Sequence, residues 1–206
     1  MKTLAIDCAT EACSVALFED DELVAGELRM LGRGHAEQLV PMIAALPHKG
    51  QADRILVSLG PGSFTGVRVG IAAARALALA WGAELRGYPT LALVAAMARE
   101  DAGAQPVGVA MTGGHGEWFI EGFEEAGSTI RPLASAKPEE AAAHSPETII
   151  AGTQAQALIK QRGSGQALEL WPDARSSLLL PDWALLQSVT ALYGRGPDAS
   201  LPAGKA

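Results

Sequence analysis

The order of apolar runs and glycine breaks along this chain occurs twice, and that recurrence limits the folds open to it. Thr3 to Ile6 is a short run of strand formers closed by Asp7, and Ser14 to Phe18 is a second. The polar turn Glu19-Asp20-Asp21-Glu22 leads into Leu23 to Met30, whose alternation predicts a third strand. Gly32 and Gly34 break the pattern. His35 to Leu46 then places Leu39, Met42, Ile43 and Leu46 on one helical stripe, stopped by Pro47 and Gly50. Arg54 to Leu59 predicts a buried strand, bounded by Gly60-Pro61-Gly62 and followed by a long helix over Phe64 to Trp81. Glu84 to Tyr88 is another strand, and Thr90 to Arg99 another helix with Thr90 as its N-cap.

After Gly103 the order restarts. Strands are predicted at Pro106 to Met111, Glu117 to Phe123 and Thr129 to Leu133, then a short helix at Lys137 to His144. A buried strand at Thr148 to Gly152 and a helix at Thr153 to Arg162 complete a shorter βββαβα copy. Residue identities do not repeat, so the duplication is one of pattern, and it predicts two stacked half-domains, 1–103 and 104–206. Leu178 to Tyr193 reads as a last helix with Pro181 near its start, packing with the tail back on the first half. The tail after Gly194 is expected to be loose.

Composition narrows the function classes. With 206 residues the chain is long enough to bury a core without disulfides or metals. The net charge of -7 and the lack of a Lys/Arg cluster speak against unaided grip on a phosphate backbone. An aromatic fraction of 5% speaks against a stacking platform for single-stranded nucleic acid. Cys8 and Cys13 are the two cysteines, with no second pair to complete a zinc site. The N-terminal apolar run is cut by Asp7, unlike a signal peptide, and the stretch Ile71 to Trp81 spans about half a bilayer and holds Arg75. A reduced, cytoplasmic protein with no membrane contact is expected.

Three constellations bear on chemistry. Asp7, Thr10 and Glu11 follow the first strand, where an acid can face a magnesium-bound phosphate; a plain polar strand end is the competing reading. Gly60 to Gly66, G-P-G-S-F-T-G, joins a buried strand to a helix N-terminus, so Gly60, Gly62 and Ser63 are candidates for phosphate contact. The loop lacks the Gly-Lys-Ser/Thr of a Walker A motif and misses the dinucleotide fingerprint by one residue, so a tight turn capped by Ser63 is an equal alternative. In the following helix, Gly66, Gly70, Ala74 and Ala78 recur every four residues and permit close packing. Four histidines, His35, His48, His115 and His144, show no metal-ligand spacing, and neither Ser58 nor Ser63 sits in a nucleophile elbow.

Three segments together carry a resemblance. L-A-I-D-C-A-T-E-A-C-S-V-A-L (Leu4 to Leu17), R-G-H-A-E-Q-L-V-P-M-I (Arg33 to Ile43) and G-P-G-S-F-T-G-V-R-V-G-I (Gly60 to Ile71) closely resemble the bacterial TsaB family of tRNA threonylcarbamoyladenosine biosynthesis proteins, once filed as glycoprotease-like. Tyr193 to Pro202 resembles a variant of the family's closing segment. The resemblance implies an α/β protein of the actin/hexokinase/Hsp70-like fold, with two RNase H-like halves. It implies a non-catalytic scaffold or activator that pairs with the catalytic TsaD and the TsaE ATPase, meets tRNA only through that complex, and forms a homodimer when alone. No tightly bound cofactor or metal is implied in this chain; ATP or ADP would sit at the complex interface. The implied partner surface is the pair of helices carrying His35, Leu39, Met42 and Ile43, and Phe64, Thr65, Val67, Arg68 and Ile71. Where relatives read D-A-R-x-G-E-V-Y, this chain has Thr112-Gly113-Gly114-His115-Gly116-Glu117-Trp118-Phe119. A free-standing small-molecule kinase or ATPase of the same fold, resting on Asp7 and the glycine turns, is the alternative. A metallopeptidase follows only from the old family naming.

Overall fold

The computed structural model describes residues 1–194. The first half opens with β1 (Lys2–Asp7), β2 (Ala12–Glu19) and β3 (Glu22–Met30), an antiparallel meander, followed by α1 (His35–Ala45), β4 (Arg54–Ser58), α2 (Phe64–Trp81), β5 (Glu84–Tyr88) and α3 (Thr90–Ala102). β4 runs parallel to β1, and β5 parallel to β4, so the sheet order is β3-β2-β1-β4-β5. The second half repeats it with β6 (Val107–Thr112), β7 (Trp118–Phe123), β8 (Thr129–Ala136), α4 (Pro138–His144), β9 (Ile149–Ala151), α5 (Ala155–Arg162) and β10 (Gln166–Leu168). Its order, β10-β9-β6-β7-β8, is the same topology: a three-strand meander extended by two parallel strands. The two halves thus share one topology, the arrangement expected of paired RNase H-like halves.

The layers follow from which faces are apolar. Leu39, Met42 and Ile43 of α1 and Val67, Ile71 and Ala74 of α2 pack on one face of the first sheet, against Leu4, Ile6, Val15, Ile55 and Val57. The other face, with Ala5, Ala16, Phe18 and Leu56, shares a core with α3 and with Val107, Val109, Phe119 and Phe123 of the second sheet. α3 therefore lies between the sheets. Leu91 through Ala96 are all buried, as expected of a helix apolar on every side. α4 and α5 cover the far face of the second sheet through Ala141, Ala155 and Leu158.

The predicted helix over Leu178 to Tyr193 is absent. Short 3-10 turns at Ala174–Leu179 and Asp182–Ala184 replace its start, and the rest is an extended strap. Pro181 stands before the second turn, and the backbone beyond finds its partners on the first half instead of within a helix. Gly87 and Leu186 exchange N–H···O bonds at 2.9 and 2.7 Å, Leu192 N–H donates to Leu59 O, and Arg75 donates to Val189 O. Thr90 is also not the N-cap of α3: Pro89 holds that place, and the Thr90 hydroxyl meets Ser58 Oγ at 2.6 Å. β10 was not foreseen, and the tail from residue 195, including the rest of the closing segment, lies outside the described residues.

Candidate functional site

A cleft of about 1030 Å³ opens where the two halves meet. One wall is the β1–β2 turn, with Ala9, Thr10 and Glu11; another is the β4–α2 turn and first α2 residues, with Pro61 to Phe64, Val67 and Arg68. The β6–β7 turn supplies Thr112 to His115, with Phe119 behind it, and the strap supplies Ala191 to Gly194. Thr10, Glu11, Gly62 and Ser63, which the sequence singled out for a ligand, thus share one cavity.

Asp7 and Gly60 do not join them. Asp7 has no exposed surface. Its Oδ1 accepts from Ala9 N–H at 2.9 Å, and its Oδ2 accepts from the Tyr88 hydroxyl at 3.1 Å. Burial raises its pKa to about 7, against the counter-pull of those hydrogen bonds. The carboxyl that the sequence set toward a magnesium-bound phosphate is thus enclosed and does not line the cleft. Gly60, also buried, sits under Leu192, whose carbonyl a Cβ would approach to 3.1 Å.

The glycines of the loop serve backbone contact. Ser63 N–H donates to Ala9 O at 2.7 Å. A Cβ on Gly62 would collide with the Ala9 carbonyl, and one on Gly66 with the Cys8 carbonyl. These two glycines let the loop lie directly against the β1–β2 turn. Ser63 caps α2 as expected, its Oγ accepting from Gly66 N–H at 3.2 Å. Gly66, Gly70 and Ala74 of the small-residue stripe are buried within the chain.

The ionisable groups lining the cleft, among the described residues, are Glu11, Arg68, His115 and Tyr193. Arg68 lies over the Phe64 ring at 3.2 Å from its centroid and donates to Tyr193 Oη at 2.6 Å. No group of three or more His, Cys, Asp or Glu able to hold a metal occurs among the described residues. Opposite, Thr112 N–H donates to Thr153 Oγ1, and Gln154 Nε2 to Thr112 Oγ1, tying the end of β6 to the start of α5. Phe119 and Leu192, which give the cleft its apolar back wall, carry no sequence signal that sets them apart from core residues.

The expected partner surface needs correcting residue by residue. His35, Leu39, Met42, Ile43, Val67 and Ile71 are buried in the chain's own core, because the apolar stripe of each helix faces the sheet. His35 Nε2 lies 3.4 Å from Ala12 O. Phe64, Thr65 and Arg68 are exposed, and the outward face adds two apolar residues outside the expected partner set, Val40 and Leu79. Val40 is 57% exposed, Phe64 68% and Leu79 88%. α2 has a mean hydropathy of 1.3 over its 18 residues, yet 28% of them are buried.

Comparison with known proteins agrees with this fold. The family model described as TsaD: tRNA N6-adenosine threonylcarbamoyltransferase matches residues 29–169. The tRNA threonylcarbamoyladenosine biosynthesis protein TsaB of Escherichia coli (strain K12) is 41% identical over 126 residues, which are 58% of this chain and 53% of that protein. TsaB of Haemophilus influenzae (strain ATCC 51907 / DSM 11121 / KW20 / Rd) is 43% identical over 98 residues, 45% of this chain and 40% of that one. The chain spans about half the length of the curated relatives it matches. A crystal structure from Pseudomonas aeruginosa, of an uncharacterized protein with similarity to peptidase YEAZ, superposes with a TM-score of 0.79 at 28% identity, covering 94% of this chain and 99% of that one.

Proposed function

The chain belongs to the TsaD family, with its curated likeness to TsaB, and from that premise we propose that it is a non-catalytic subunit of the apparatus that makes threonylcarbamoyladenosine in tRNA. Its partner is a TsaD-like catalytic subunit, with a TsaE-like ATPase completing the complex in the cytoplasm. The observation that carries this reading is the uncovered apolar face of α1 and α2. Val40, Phe64 and Leu79 stand largely in water. Fully burying such side chains is worth about 1.5–3 kcal/mol each. A long core-type helix with its outer face open is suited to a helix–helix contact with another chain. Alone, the chain pairs with a second copy through the same face.

The scaffold role rests on what the cleft offers. Among the described residues its lining holds one carboxylate, Glu11, and the Ser63 amide is engaged with Ala9 O of the β1–β2 turn. The acid that a kinase or ATPase reading needs, Asp7, is enclosed and hydrogen-bonded to Tyr88. On this proposal any ATP or ADP binds at the complex interface. The deciding experiment is reconstitution of tRNA modification with and without this chain. Product that depends on its presence is expected, while the isolated chain turns over no ATP. Undiminished product in its absence contradicts the proposal.

A further inference from the structure

We propose that Cys8 and Cys13 form an oxidisable dithiol which a hydroperoxide converts to a disulfide across the β1–β2 turn, fixing one wall of the cleft. The inference stands on the turn's geometry and is independent of the partner reading. The β1–β2 register ends at Asp7 opposite Ser14, so Cys8 and Cys13 are the next pair outward. Their sulfurs lie 3.5 Å apart, and both are free thiols. Residues directly opposite in an antiparallel pair have Cα separations of about 4.5–5.5 Å, within the roughly 4.4–6.8 Å that a disulfide spans. Closure to a bond of about 2.05 Å then asks for side-chain rotation and little backbone movement.

The cross-link would bracket Ala9, Thr10, Glu11 and Ala12. Three of these line the cleft, and Ala9 O accepts the Ser63 N–H that joins the turn to the start of α2. Gly66 rests on the Cys8 carbonyl, and Gly70 faces the Cys8 sulfur. The thiol state of this pair thus bears on both the cleft wall and the seat of α2. Burial and the shared S–H···S contact hold the Cys8 thiol up, while that contact lowers Cys13, which makes Cys13 the attacking sulfur. Its thiolate takes the distal oxygen of the peroxide, the O–O bond breaks, and hydroxide leaves to become water on gaining a proton. The Cys13 sulfenic acid is then attacked by the Cys8 sulfur, the S–O bond breaks, and a second water leaves with the Cys8 proton. Two thiols are oxidised, one peroxide is reduced, and a thiol reductant reverses the reaction. Both sulfurs are buried, so opening of the turn toward the cleft sets the rate.

The test uses the full chain, reduced, then treated with hydrogen peroxide and measured by intact mass and by alkylation with peptide mapping. The native protein should lose the mass of two hydrogens, with both cysteines protected together and recovered by dithiothreitol. Cys8→Ser should stop at a sulfenic acid that dimedone traps on Cys13. Amide exchange at Ala9 to Glu11 should slow in the oxidised form. Native thiols that remain alkylatable under conditions that oxidise the unfolded chain would overturn the proposal, as would cross-linking only between molecules. Unchanged exchange at Ala9 to Glu11 would overturn its structural consequence.

Discussion

The two halves share one strand topology but use their helices differently. In the first, β4 leads into an 18-residue helix that leaves Phe64 and Leu79 exposed beside Arg68 and Arg75; in the second, β9 leads into an eight-residue helix with Lys160 and Arg162 in its last turn. Each helix start is tied to the end of the half's first strand, through Ser63 N–H to Ala9 O at 2.7 Å and Gln154 N–H to Ala110 O at 3.0 Å. The strand ends themselves differ. β1 closes on a buried carboxyl, Asp7, whereas β6 closes on an exposed hydroxyl, Thr112. The sheet frame is thus the common part, and the helix lengths and strand-end residues distinguish the half with the long, open helix from the half with the short one.

The largest test of that difference is pH. The Asp7 carboxyl binds its proton up to about pH 7, against an ordinary value of 3.8. The native chain therefore holds a proton that the unfolded chain has released. Its contribution is fully present below about pH 4 and is lost as pH rises through about 7, about 4 kcal/mol in all. The protonated acid can donate to Tyr88 Oη while Tyr88 donates to Ile6 O at 3.0 Å. An amide can do the same, so Asp7→Asn should flatten the pH dependence of urea unfolding and stabilise the chain at pH 8. Glu121 in the second half is also raised to about 7 by burial. Being less enclosed, it should give Glu121→Gln a smaller effect of the same sign. A larger effect at Glu121 would break the contrast.

Next comes Gly66→Ala, whose Cβ would strike the Cys8 carbonyl. Overpacking at such a contact costs about 1–3 kcal/mol, and the upper end is expected in denaturant melts because backbone must move. Leu79→Asp should leave the melting temperature nearly unchanged and weaken partner binding at least tenfold, roughly 1.4 kcal/mol, by titration calorimetry. An acidic substitution at exposed Gln156 on α5 should change neither. The smallest effect concerns the caps. Ser63→Ala should cost about 1 kcal/mol, and Gln154→Ala, which removes no cap but does remove the exposed bond to Thr112 Oγ1, somewhat less.

The sequence of elements and most helices were legible because each apolar run is local, and the glycine turns mark its ends. The strap was not: Leu186 and Val189 are spaced as a helix stripe would be, yet Leu186 pairs with Gly87 of β5 and Val189 O accepts from Arg75 of α2, far away in sequence. Leu39, Met42 and Ile43 show a related limit. A 3.6-residue apolar period marks a face to be buried, but the chain's own sheet claims it before any partner does. Asp7 was read as a ligand-facing acid because what encloses it, Tyr88, is 81 residues distant. The cleft residues Thr10, Glu11, Gly62 and Ser63 were legible from their two turns, whereas Phe119 and Leu192 reach the cleft only through the packing of both halves.

The central claim is that the open face of α1 and α2 pairs with a TsaD-like chain. Light scattering after size exclusion of this protein mixed with the TsaD-like protein of the same organism tests it most directly. A heterodimer that replaces the homodimer, and that is lost with Leu79→Asp, is the predicted result. Two species that elute apart, with or without nucleotide, would contradict it.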